Sequence, residues 1–147
     1  MKTSFKSGTG TIFLILTIAL AAAGMILYGL NSSGSYYHDF KMPVILLGIL
    51  GIGIILVFIV LSRRRGEKNW MDIFYPAAGI VLMLGAIIFV SYRVESAGII
   101  LGSDLEAGNA KAMNSLIQAF VGIGCFIVAS ILSGVAAFFS PVKEQKE

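Results

Sequence analysis

The 147-residue chain carries one histidine, His38, and one cysteine, Cys125. A zinc site needs about four such ligands, and nucleophilic catalysis needs a base beside the thiol, so both chemistries are all but excluded. The densest polar-aromatic group is Tyr36-Tyr37-His38-Asp39. His38 could act there as a base oriented by Asp39, or as a pH sensor. Adjacent side chains orient one another poorly and no nucleophile stands next to them, so an interface-facing loop is expected. Asp104 with Glu106 could contribute to a calcium site. Acids at a helix start are already favoured by the helix dipole, which is the simpler explanation. Gln118 is the most polar residue of its apolar run and is expected to tie helices together by hydrogen bonding, ahead of lining a vestibule. Arg63, Arg64 and Arg65 form a basic block that sets topology, or attracts anionic lipid at about 1 kcal/mol per residue. No cofactor, no metal and no enzymatic activity is expected.

These residues sit between long uncharged runs. The chain is 57% hydrophobic and 13% charged, against the roughly 25% charged residues of a soluble domain. The run Met42 to Ser62 contains 15 Leu, Ile, Val or Phe in 21 residues and ends directly at Arg63. A helix needs about 20 such residues to cross a bilayer core. Thr11 to Leu30 is a second run. Ala21-Ala22-Ala23 before Gly24 resembles a signal-peptide cleavage site, but the run continues for 20 residues, beyond the roughly 7–15 of a signal peptide. An uncleaved helix is expected. Ile73 to Tyr92 is the third run, with Trp70, Phe74, Tyr75 and Tyr92 clustered at its ends as interfacial aromatics are. Pro43 and Pro76 fall in first turns, where a missing N–H is harmless.

The fourth run has no charge from Ala112 to Val142, 31 residues. Ser103-Asp-Leu-Glu106 reads as a capping box, so this helix is expected to begin near Asp104 and project beyond the membrane. The expected helices are therefore 11–30, 42–62, 73–92 and 104–139 in one domain over residues 1–147. Between helices three and four, Ile99, Ile100 and Leu101 either fold back over the bundle or form a contact site.

Lys and Arg fix the expected orientation. The N-terminal segment, middle loop and C-terminal tail hold eight, and the other two loops hold three. That asymmetry puts both termini in the cytoplasm. The net charge of +3 is mostly topogenic and does not indicate nucleic acid. Gly51 to Ser62 and Gly122 to Ser133 agree at six of twelve positions, by duplication or by chance in apolar, glycine-rich sequence. Four helices with inward termini resemble tetraspan membrane proteins such as claudins and connexins in topology alone. The paired loop cysteines and tryptophan motif of claudins are absent.

Apolar burial does not drive helices together inside lipid, whereas close packing at small residues does. Gly122, Cys125, Ala129, Ser133 and Ala136 share one helix face. Gly48 and Gly51 offer a counterpart on helix two, so the stripe is expected to meet helix two or another subunit. The reading is an all-α, four-helix transmembrane bundle, multi-pass in the plasma membrane. Its expected role is an interaction or accessory subunit, contacting lipid and other subunits or itself. The rival role is an oligomeric channel or transporter for a small or apolar solute.

Overall fold

The computed structural model describes residues 5–34, 36–66, 68–104, 106, 108–139 and 141–144. Lys2 and Lys146, counted in the charge asymmetry, lie outside the described residues. Four helices carry the fold: α1 (Thr9–Ser32), α2 (Met42–Arg65), α3 (Phe74–Gly102) and α4 (Ala110–Ala136). All four are long and apolar enough to cross a membrane. A 3-10 turn, Asn69–Ile73, leads into α3. Two short strands, β1 (Phe5–Ser7) and β2 (Val142–Glu144), pair antiparallel and add a small ribbon to the helical bundle. Beside the ribbon, Gly8 N and Thr11 Oγ1 both donate to the Pro141 carbonyl, at 2.8 and 2.6 Å.

Successive helices pack side by side, and α4 returns to α1, so the four form a closed ring of neighbours. Phe13 of α1 stacks on Phe139 just beyond α4, with centroids 4.9 Å apart. At the opposite end Asn31 of α1 bonds Ser115 of α4, which makes these two helices antiparallel.

Glycines set the depth of packing. The Phe126 ring of α4 lies at the bundle centre and is fully buried. A methyl added at Gly24 of α1 would sit 2.9 Å from it, and one at Gly48 of α2 or Gly85 of α3 would sit 3.5 Å away. Gly24 is thus the close seat of the ring, whereas Gly48 and Gly85 meet it at ordinary contact distance and the niche over Gly48 is filled by Met25. Phe89 fills the same kind of niche over Gly122, where an added Cβ would approach to 2.8 Å, and Leu82 does so over Gly51, at 2.6 Å. Only 28–39% of each helix's most apolar segment is buried. The remainder, including Ile15, Ile49, Ile87 and Ile131, faces outward. Contiguous exposed apolar surface on that scale marks a face made to meet a membrane or other protein.

Several expected boundaries move, most of all in α3 and α4. The element that projects is α3, which runs to Gly102, ten residues beyond the expected end at 92. Residues 93–102 contain no proline, and Arg93 turns inward, so nothing stops the helix at the charge. Ser103 adopts an extended backbone as the residue that closes α3. It does not open α4 as the capping-box reading required. Asn109 does, its side chain accepting from Lys111 N at 3.1 Å and Ala112 N at 3.3 Å. Gly108 precedes it with φ of +88°, a conformation that costs glycine nothing. Glu106 reaches forward to Asn109 Nδ2 at 2.7 Å instead of back to a helix start. α4 also stops at Ala136, short of 139.

Candidate functional site: an arginine-centred polar layer

One end of the bundle is closed by a layer of mutually bonded polar side chains, and Arg93 is its centre. Arg93 lies in α3 and is 3% exposed. A charge that deeply buried is stable only if paired and fully bonded. Arg93 meets that demand. Nε donates to Asn31 Oδ1 at 2.7 Å. Nη1 donates to Asp39 Oδ2 at 2.7 Å and to the Tyr92 carbonyl at 3.2 Å. Nη2 donates to Ser32 Oγ at 2.7 Å and to Asp39 Oδ1 at 3.0 Å. A guanidinium has five N–H donors, and these bonds use all five. Asp39 is held by the two-pronged geometry that favours Arg over Lys. Arg93 Cζ lies over the Tyr37 ring, 4.1 Å from its centroid, a cation–π contact.

The layer knits three segments together. Asn31 and Ser32 come from the last turn of α1, and Asp39 and Tyr37 from the α1–α2 loop. Asn31 Nδ2 continues to the Ser115 carbonyl of α4 at 2.7 Å. Tyr37 OH donates to Ser96 Oγ at 3.0 Å, and Ser96 Oγ donates on to the Arg93 carbonyl. Below them Tyr28 OH donates to the Lys41 carbonyl at 2.9 Å and accepts from Lys41 N at 3.0 Å. Lys41 Nζ sits 4.4 Å over the Tyr92 ring. Above them a satellite core forms from Tyr37, Ile100, Ala112 and Leu116, with Tyr36 and Ala97 packed against it. The Tyr36 phenol is pushed up from its ordinary pKa, first by desolvation, then by the Glu106 carboxylate and by Tyr37.

The expected site residues scatter. His38 is exposed, and its neighbour Asp39 pairs with Arg93. Ile100 folds into the satellite core, while Ile99 and Leu101 stay 54% and 65% exposed. The three arginines, exposed, form the last turn of α2, where cations suit the helix dipole. Along the α4 stripe, Gly122, Ala129, Ser133 and Ala136 are buried and Cys125 is half-buried. The stripe meets α1 and α3. Gly122 lies under Phe89 and Leu27, and Ser133 Oγ donates to the Tyr75 carbonyl at 2.9 Å. The expected partner, α2, stands diagonally across and is reached by Phe126 at Gly48; Gly51 serves Leu82 of α3. Adjacent to the stripe, Ser130 Oγ donates to the Gly79 carbonyl at 2.8 Å. Among the described residues, no three of His, Cys, Asp and Glu group closely enough to hold a metal.

Sequence reasoning placed Arg93 in a loop and did not connect it to Asp39 or Asn31. The available signal was a single arginine between a long apolar run and Gly98-Ile-Ile-Leu, with an aspartate in the neighbouring loop at the same end. Comparison with family models, with curated proteins and with solved structures finds no match.

Proposed function

We propose that the protein is a multi-pass integral membrane protein of the plasma membrane, with both termini cytoplasmic. We propose that it acts as a non-enzymatic interaction or accessory subunit of a membrane complex. The bilayer reading is supported by length. Thr11 to Leu30, Met42 to Leu61 and Ile73 to Tyr92 are each twenty uncharged residues, about 30 Å of helix, the thickness of a hydrocarbon core. The orientation is supported by the Lys and Arg asymmetry.

The observation that carries the functional reading is the complete commitment of Arg93. Every donor is spent on holding α1, α3 and the α1–α2 loop in register, and Asn31 carries the network on to α4, which supports a layer that shapes a surface. That surface carries the exposed Ile99 and Leu101 past the charged layer. Nine residues of α3 beyond Arg93 rise about 13 Å, a height suited to meeting another subunit. The competing reading is an oligomeric channel or transporter. Phe126 fills the axis of a single bundle, so a path of that kind would run between copies.

The test is purification in mild detergent from its own membrane, followed by identification of what co-purifies. A stoichiometric partner, lost on Ile99→Ser with Leu101→Ser, is expected. Selective and saturable solute flux in liposomes holding the purified chain alone would overturn the reading in favour of the channel.

A further inference from the structure

We infer that the first two turns of α4 bind the phosphate and ester groups of one phospholipid. This rests on the membrane reading above. An open groove of about 440 Å³ is lined there by Lys111, Asn114, Ser115, Ile117 and Gln118. Three of these, Lys111, Asn114 and Gln118, repeat at steps of three and four and so share a face. Among the described residues, none of their side chains has a hydrogen-bond or ion-pair partner. The backbone donors of this first turn are not part of the site, because Asn109 caps Lys111 N and Ala112 N. The nearby Glu106 carboxylate accepts from Asn109.

Depth orders these groups as a phospholipid orders its own. Ser115 is level with the Arg93 layer, since Asn31 bonds both. Lys111 stands four residues above, about 6 Å outside the hydrocarbon edge, where phosphates lie. The Gln118 backbone stands three residues below, about 4.5 Å inside it, and its side chain, tilted toward the N-terminus of α4, is directed back toward the ester carbonyls at that edge. An unbonded amide at that depth is costly, and its N–H donors match an ester oxygen. Exposed Ile117, Phe120 and Val121 continue down the helix for the acyl chains. The Lys111 ammonium supplies the charge for the phosphate, and Asn114 a second donor between the two levels.

The experiment reconstitutes the full chain into vesicles of equal parts phosphatidylcholine and phosphatidylglycerol. The chain is floated with the vesicles and then extracted in mild detergent. Bound phospholipid per chain is read by phosphorus assay and native mass spectrometry. Wild type is expected to float and to keep one phospholipid. Lys111→Ala with Gln118→Leu should float equally and hold lipid about tenfold more weakly, the equivalent of one charge-assisted hydrogen bond. Lys111→Glu alone should do the same, while Lys68→Ala at the other end should keep the lipid. Inorganic phosphate in excess should fail to displace it. A wild-type chain that floats yet strips clean overturns the site and spares the membrane reading. Displacement by inorganic phosphate, or full retention by both groove variants, also overturns the site. A chain that does not float overturns the membrane reading and the site together.

Discussion

Replacing Arg93 with leucine tests whether the polar layer holds the bundle's loop in place. Leucine keeps apolar bulk but removes five donors at once, leaving Asn31 Oδ1, Ser32 Oγ and both Asp39 oxygens without them. Breaking a buried ion pair costs about 3–5 kcal/mol because the partner charge is stranded. Asp39 is 39% exposed, so water recovers part of its solvation, and the cost falls to about 2–3 kcal/mol. Arg93→Lys retains the charge but loses the fork that bridges Asn31, Ser32 and Asp39, for about 1–2 kcal/mol. Asp39→Leu removes the acceptor, so adding Arg93→Leu to it should cost less than Arg93→Leu alone by about 1–2 kcal/mol. The assays are thermal unfolding in mild detergent and amide hydrogen exchange over residues 36–41. Exchange in that loop should accelerate in Arg93→Leu, with the centre of α4 unaffected. A leucine variant with the wild-type midpoint and wild-type loop exchange refutes the reasoning, as do strictly additive single effects.

Phe126→Ala should cost about 3–5 kcal/mol, because the ring leaves a void lined by three helices. Gly24→Ala and Gly122→Leu should both lower the detergent melting midpoint, while Gly53→Ala and Gly124→Ala should not, since a methyl at either meets nothing within 4 Å. Equal effects in both pairs would show that glycine content, not contact, is responsible. Asn109→Ala should loosen the first turn of α4 by about 1 kcal/mol, seen as faster exchange at residues 111–113. Single cysteines placed in a Cys125→Ser background should label at His38 and Glu106 from one face and at Arg64 and Lys143 from the other, cytoplasmic, face. Labelling of position 106 from the cytoplasmic side alone reverses the orientation.

The four long apolar helices were legible because uncharged apolar runs of about twenty residues are written directly in composition. Met42 opens α2 in the structure as in the sequence. What the sequence hid was long-range pairing. Arg93 read as a loop residue because charge ordinarily ends an apolar helix, and its partners Asn31, Ser32 and Asp39, 54 to 62 residues away, accommodate it within the helix. The error at α4 came from a local competition. Ser103 and Asn109 are comparably good caps, and the left-handed Gly108 in front of Asn109 settles between them. The α4 stripe was visible as a stripe, but its partners were not. Small residues announce close approach without naming the large side chain that fills the space, here Phe89 over Gly122.

A ring seated against the glycine notch at Gly24 also works as a mechanical pin. Turning α1 about its own axis would replace Gly24 with a side chain against the Phe126 ring, just as turning α2 at Gly48 would meet Met25 and turning α4 at Gly122 would meet Phe89. The helices therefore keep their rotational phase, and the motions left to them are tilting as a unit and sliding along the axis. A half-turn flip of the Phe126 ring needs the whole bundle to swell for an instant, so its rate reports how often the core breathes. Slow flips, with distinct resonances for the two ring edges, are the signature of a bundle that moves as one body.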